Sequence, residues 1–328
     1  MSLGIAGTGV VTPLGWNVEE VARRIARGER GDRVEGFDIL EFTPSDRLRR
    51  SPSVSLWGVA AAYRALASAG LAKGDLDGAR VGVIAAVSKG GMVYSERFHE
   101  QFVKGGGKAV VPLLFPETVA NAPASHVAAL LGFHGPNATL LGDAAVSHNA
   151  IAMARDLLEW ELADQVLVVA PHERGRIMEL GYACFRGLFR GAPWSEGAGA
   201  LLLTRGEGRL GTILHVDRGF PFRRRSEIPG LLEGALRNLP AWPDVVSVSG
   251  GEPPEIVERM IAGPPAGAPS SRAKAARVAV KDALGEALAT AALWQIVFGL
   301  HRTPSGGHLL STCVGLNEQV SVLMARRA

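Results

Sequence analysis

The chain has 328 residues, 47% of them hydrophobic and 20% charged, which suits one large α/β domain or two fused halves and excludes a disordered chain. Its formal net charge of +3 is only mildly basic, so the basic stripe of a nucleic-acid binder is not expected. Two cysteines, Cys184 and Cys313, do not make a disulfide framework, and no apolar run reaches the roughly 18 residues of a membrane span. The N-terminus also lacks the charged-then-apolar design of a signal peptide, so a cytoplasmic protein without membrane partners is expected.

The apolar run over 3–11 predicts a strand, closed by Thr12-Pro13-Leu14-Gly15. Asn17 then caps a helix carrying Val18, Val21, Ala22 and Ile25 at helical spacing. An alanine-rich helix over 56–70 leads to a strand over 80–87 and the loop Ser88-Lys89-Gly90-Gly91. A helix beginning near Ala122 carries Val127, Ala128 and Leu131, and Gly135-Pro136 breaks the chain. A short buried strand is expected over 138–141 and a long helix over 146–163. The runs 166–170 and 198–204 are wholly apolar, the pattern of strands covered on both faces.

The second half repeats the alternation. Strands are expected over 211–216, 245–249, 309–312 and 320–324, and helices over 228–239, 254–262 and 284–300. Apolar strands alternating with helices argue for parallel or mixed sheets covered by helices. The similar rhythm suggests an internal duplication, with halves 1–205 and 206–328 meeting near 206–210. The stretch 263–271, rich in Pro, Ala and Gly, reads as a mobile loop.

Gly7-Thr8-Gly9 after an opening strand invites a dinucleotide-binding reading, but the third glycine of that fingerprint is replaced by Thr12, followed by Pro13, and a turn is the better reading. No pair among the eight histidines has the spacing of a zinc site, so no metal is expected, and no serine sits in a G-x-S-x-G elbow. Arg223, Arg224 and Arg225 form the densest basic run, readable as a solvated loop or as a docking site for an acidic partner.

Several segments together resemble the β-ketoacyl-acyl carrier protein synthases. The opening 5–15 is similar to their first strand and turn. Asn121-Ala122-Pro123-Ala124 and Gly132-Phe133-His134-Gly135-Pro136 resemble the approach to their nucleophile. Residues 163–169 followed by Glu173 resemble the strand after it, and Ser195-Glu196-Gly197-Ala198-Gly199-Ala200 their G-E-G-A-G-A strand. Residues 281–292 resemble their K-x-x-x-G-H segment, and 311–316 their glycine-rich closing strand. The resemblance covers nearly the whole chain. It implies a thiolase fold: a duplicated α-β-α-β-α five-layer sandwich without a cofactor.

In that family a cysteine at a helix start attacks an acyl thioester, its pKa lowered by the positive helix end. Two histidines assist malonyl decarboxylation and stabilise the oxyanion. Counted from Gly135-Pro136, the cysteine position falls on Ala144; the H-G-T turn corresponds to Ser249-Gly250-Gly251, and the K-x-x-x-G-H histidine to Glu286, five residues after Lys281. The resemblance thus implies a Cys-His-His set whose chemistry is lost at Ala144, Ser249 and Glu286. Of Ser147 and His148, neighbours on a helix, one is expected to pack and the other to face water. Cys313 is a candidate displaced nucleophile or else a small buried apolar residue; Cys184 reads as structural. Asp143 is expected either to pair with Lys281 or His308 or to cap the helix. Backbone donors near Ala144 and Gly315 are expected to survive.

Three functions follow from the resemblance. The chain is similar to chain-length factors, which lack the nucleophile and pair with an active synthase, so a homodimer, or a heterodimer with an active ketosynthase, is expected in fatty acid or polyketide type synthesis. The alternatives are a residual acyl-thioester decarboxylase or acyltransferase, and a binding module for acyl chains or acyl carrier protein, whose acidity suits Arg223 to Arg225.

Overall fold

The computed structural model describes residues 2–45, 48, 50–184, 193–237, 239–262, 274–316 and 319–328. The first half runs β1 (Leu3–Val11), α1 (Val18–Ala26), α2 (Ser53–Ser68), β2 (Val81–Val87), α3 (Met92–Gly105), α4 (Ala122–Leu131), β3 (Asn137–Leu141), α5 (Val146–Glu159), β4 (Gln165–His172), α6 (Arg176–Ala183) and β5 (Gly197–Arg205). The second runs β6 (Gly211–Val216), β7 (Phe220–Pro221), α7 (Ile228–Leu236), β8 (Val245–Ser247), α8 (Pro254–Ala262), β9 (Ala276–Val278), α9 (Lys281–Leu284), α10 (Ala289–Arg302), β10 (His308–Val314) and β11 (Gln319–Arg327).

The strands form one mixed sheet in the order β3-β2-β4-β5-β1-β6-β11-β10-β8-β9, with β7 beside β11. Read outward from the β1–β6 contact, the two flanks have the same wiring. In each, the two strands nearest the contact pair antiparallel, as do the second and third, and the outer three are parallel. Side chains along each strand then alternate between two cores. Val166, Val168 and Ala170 of β4 face a central core with α5 and α10, whereas Leu167 and Val169 face a second core under α2 and α4. On the other flank Leu323 and Ala325 of β11 join the central core, and Val320, Val322 and Met324 pack with α7 and α8. The result is helix, sheet, helix, sheet, helix: the five-layer sandwich.

Sequence explains the closest contact between these layers. Gly7 and Gly9 lie in β1, and a Cβ at either would stand 2.0 Å from a carbonyl oxygen of α2, Ala65 or Ala61. These glycines serve helix-on-sheet packing. α10 is buried at every residue from Ala289 to Leu300, as a helix between two sheets must be.

Four expectations require correction. The strand over 138–141 is not buried: β3 bonds only β2 among the described residues, and Leu141 is 65% exposed. Its apolar composition reports an edge. The helix expected over 284–300 is split, because Gly285 (φ +76°) and Leu288 (φ +51°) leave the helical region between α9 and α10. The helix expected to 163 ends at Glu159. α3, α6, β7 and β9 lie in stretches for which no element was expected. The segment 263–271 lies outside the described residues.

Candidate functional site

α5 begins in the middle of the molecule, between the sheets. Asp143 precedes it, and its Oδ1 accepts from Ala145 N at 3.1 Å while its carbonyl accepts from Val146 N at 3.3 Å. The side-chain bond closes a local turn ahead of α5, whose cap position, Ala145, has no side-chain cap of its own. Ala144 and Ala145 follow, 3% and 0% exposed, packed with Ala292 of α10 and Cys313 of β10. The end of β10 presses on the same spot: a Cβ on Gly315 would lie 2.1 Å from Asp143 Oδ2. Burial pushes the Cys313 thiol well above its ordinary value; Lys281 opposes this, while Asp143, Glu252 and Glu286 reinforce it. Cys313 is therefore a neutral thiol at neutral pH.

The turn after β8 brings Ser249 to this place. Its N–H and hydroxyl both donate to Glu252 Oε1, at 2.8 and 2.7 Å. Gly250 N donates to Glu252 Oε2 at 2.8 Å, and Thr312 Oγ1 to Oε1 at 2.6 Å. Ser249 Oγ in turn accepts from Val314 N at 2.9 Å. The serine thus joins the turn to the end of β10, with its hydroxyl engaged on both sides. Glu252 was missed in the sequence, although the Ser-x-x-Glu spacing of a capping box marks it.

Glu286 lies in the break between α9 and α10. Its Oε2 meets Lys281 Nζ at 2.5 Å, and Oε1 accepts from Leu288 N at 2.7 Å. Both side chains of the ion pair are 10% exposed. Burial, the largest single influence, would lower the Lys281 pKa, but Glu286 with Cys313 and Glu252 together turn the net direction upward. The carboxylate is thus paired locally with the Lys281 ammonium.

Asp143, Ala144, Ser249, Lys281, Glu286, Cys313 and Gly315 are therefore drawn together from four separate stretches. His308 is not among them. It starts β10, five residues before Cys313, roughly 17 Å away at strand rise; its N–H donates to Asp244 Oδ2 at 2.7 Å. Arg223, Arg224 and Arg225 are exposed ahead of α7, and Arg225 Nη1 donates to Leu316 O at 3.0 Å, beside the site. Ser147 and His148 are both 0% exposed, against the expectation that one faces water, because α5 is covered by sheets on two sides. Ser147 donates to Ala289 O at 2.7 Å, and His148 Nδ1 meets Ser321 Oγ at 3.0 Å. Burial holds the His148 pKa down at about 4, so the ring is neutral. Cys184 is exposed at the end of α6. The backbone donors are largely committed: Gly315 N donates to Gln319 O at 2.8 Å, and Ala145 N to Asp143.

No helix among the described residues is long and apolar enough to cross a membrane. The family model described as "Beta-ketoacyl synthase, N-terminal domain" matches residues 7–174, just over half of the chain. A 3-oxoacyl-[acyl-carrier-protein] synthase 2 of Vibrio cholerae is 24% identical over 180 residues, covering 50% of this chain and 44% of that protein. The synthase of the same description from Vibrio harveyi is 23% identical over 230 residues, covering 62% and 55%. The chain spans about half the length of these curated relatives. Among solved structures, the ishigamide ketosynthase/chain length factor superposes with a TM-score of 0.81 at 19% identity, covering 100% of this chain and 99% of the other. A type II PKS acyl-carrier protein in complex with its ketosynthase bound to the hexaketide gives 0.79 at 16% identity, with the same coverage. By the family match and the shared five-layer fold, the chain belongs to the β-ketoacyl synthase family, with a thiolase fold similar to that of the ketosynthase/chain length factor.

Proposed function

We propose that the chain is a non-condensing member of its family, acting beside an active ketosynthase in fatty acid or polyketide type synthesis. The observation that carries this reading is the chemistry at the start of α5. The positive helix end meets the methyl of Ala144, and the nearest thiol, Cys313, is buried and neutral. Neither of the other two positions supplies a free base: Ser249 is tied to Glu252 and Glu286 to Lys281. A residual decarboxylase or acyltransferase would need oxyanion donors, and the Ala145 and Gly315 N–H groups already have acceptors. The halves 1–205 and 206–328 are read as copies of one unit, given their matching strand order.

The exposed edge β3, ending at Leu141, suits pairing with a second subunit. The run Arg223 to Arg225, joined to the site loop through Leu316, suits an acidic acyl carrier protein. The test is co-expression with a ketosynthase that retains its cysteine and both histidines. Stable co-purification and a changed product length are expected, while the isolated chain neither releases CO₂ from malonyl thioesters nor transfers acyl groups. CO₂ release by the pure chain, or no association with any such synthase, sinks the proposal. Charge reversal at Arg223 to Arg225 is expected to weaken carrier binding at low salt.

A further inference from the structure

A second feature lies away from this site, at the seam of the two flanks. β1 pairs with β5 along its length but with β6 over Leu3–Ile5 only. Beyond that point β1 parts from β6, and a cavity of about 470 Å³ opens there. The volume lies in the range of roughly 300–1,000 Å³ typical of small-molecule sites. Its wall combines Thr8–Val10, the start of α1 and the end of α2 with Arg209, the end of α10 and Arg327.

The charge on this wall is unbalanced. Arg64, Arg209 and Arg327 face a single carboxylate, Glu19. His301, the remaining titratable group on the wall, is lowered by burial and by Arg327 and Arg302 against the pull of Glu19, so it adds no charge at neutral pH. Arg327 is already committed to the fold, since its Nη1 donates to His301 O and Thr303 O at 2.8 and 2.6 Å and closes the end of α10. Arg64 and Arg209 are available. The Arg64 guanidinium lies over the Phe42 ring, 5.2 Å from its centroid, and its Nε is buried without a hydrogen-bond partner among the described residues. That Nε is shielded from the cavity, so the terminal guanidinium nitrogens, which are not occluded, are what Arg64 offers a ligand. Arg209 makes one long bond, 3.4 Å to Ser68 O, and Ser68 is one helical turn from Arg64. Two forked donors thus flank one space; the start of α1 at the same wall is already capped by Asn17 and carries Glu19 and Glu20, so the arginines supply the positive charge. The rest of the wall mixes polar Thr8, Asn17 and Ser68 with an apolar patch that includes Trp16, Val18, Val297 and Leu300.

We infer that this seam cavity is a binding site for an organic phosphate, whose dianionic phosphoryl group sits between Arg64 and Arg209 and whose flat apolar body lies against Trp16, Val18 and Leu300. Such a ligand would meet the terminal guanidinium nitrogens of Arg64 and bridge the two flanks of the sheet. It is independent of the proposed loss of condensing chemistry.

Titration calorimetry on the full chain tests it, with phenyl phosphate, inorganic phosphate and benzoate as probes. Single-site binding of phenyl phosphate, at least about tenfold tighter than either other probe, is expected. Arg64→Gln and Arg209→Gln are each expected to weaken it by about tenfold or more, and Lys104→Gln on α3 to leave it unchanged. Thermal melting accompanies each variant; should Arg64→Gln fail to fold, the exposed Arg209→Gln decides alone. No binding of phenyl phosphate at millimolar concentration, equal affinity for inorganic phosphate, or unchanged affinity in a folded Arg64→Gln or Arg209→Gln variant overturns the inference.

Discussion

Glu252 receives hydrogen bonds from Ser249 N, Ser249 Oγ, Gly250 N and Thr312 Oγ1, so its removal strands four donors in a buried place. Glu252→Ala is expected to cost about 2–4 kcal/mol in urea unfolding, and Ser249→Ala, which strands chiefly Val314 N, about 1–2. Equal, negligible losses would show that the turn is not held this way. Glu173 gives a second residue-scale prediction, this one in pH. Its carboxyl accepts from Val54 N and Val93 N, at the starts of α2 and α3, yet burial raises its pKa from 4.5 to about 7. Between those values the native protein keeps a proton that the unfolded chain releases, so this group's contribution to stability is full below pH 4.5 and is lost as pH rises through 7. Neutral His148 and His172, each lowered to about 4 by burial, act in the opposite direction below pH 6.5. The useful quantity is therefore a difference: Glu173→Gln gains stability relative to wild type from pH 5 to pH 8, by at most roughly 3 kcal/mol. A difference independent of pH contradicts the burial of an uncharged Glu173. At this scale Ala144, Ser249 and Glu286 were singled out because each follows a local motif, and the fold places them near one another. Glu252 was overlooked although its Ser-x-x-Glu spacing is local; what the spacing could not show is its tie to Thr312, 60 residues away.

The break between α9 and α10 shows what a sequence pattern leaves open at the scale of elements. Residues 284–300 are almost wholly apolar, and apolar composition alone cannot separate a helix from a buried turn beside one. The turn is fixed by the Lys281–Glu286 pair and by Leu288 N donating to the same carboxylate. Lys281→Met leaves that carboxylate buried without its cation and is expected to cost about 3–5 kcal/mol. Adding Glu286→Leu removes the stranded charge and should restore most of the loss, measured by denaturant unfolding of the single and double variants. A double variant no more stable than the single one contradicts the pairing. Elsewhere periodicity was a better guide. The runs at 166–170 and 198–204 are covered on both faces, as their lack of alternation required. The same kind of run at 138–141 misled, because burial of a strand depends on its neighbours in the sheet and β3 has one among the described residues.

At the scale of the molecule, β3 leaves backbone groups and Leu141 open at one end of the sheet. Long apolar edges invite pairing with another chain, and soluble monomers usually blunt them with charge, proline or a covering loop. None of the residues Asn137, Ala138, Thr139, Leu140 and Leu141 carries charge. A second subunit laid along this edge would continue the sheet and bury Leu141. Leu141→Asp places a charge there while leaving the fold alone, since an exposed substitution typically changes stability by no more than about 0.5 kcal/mol. Association with an active ketosynthase, or with a second copy, is expected to weaken at least about tenfold by sedimentation, with the melting temperature of the separated chain unchanged. Phe102→Asp on α3, also exposed at 52% but off the sheet edge, serves as the control and should leave association intact. If Leu141→Asp associates as well as the wild-type chain does, β3 is not the contact, and the proposed partnership would need another surface.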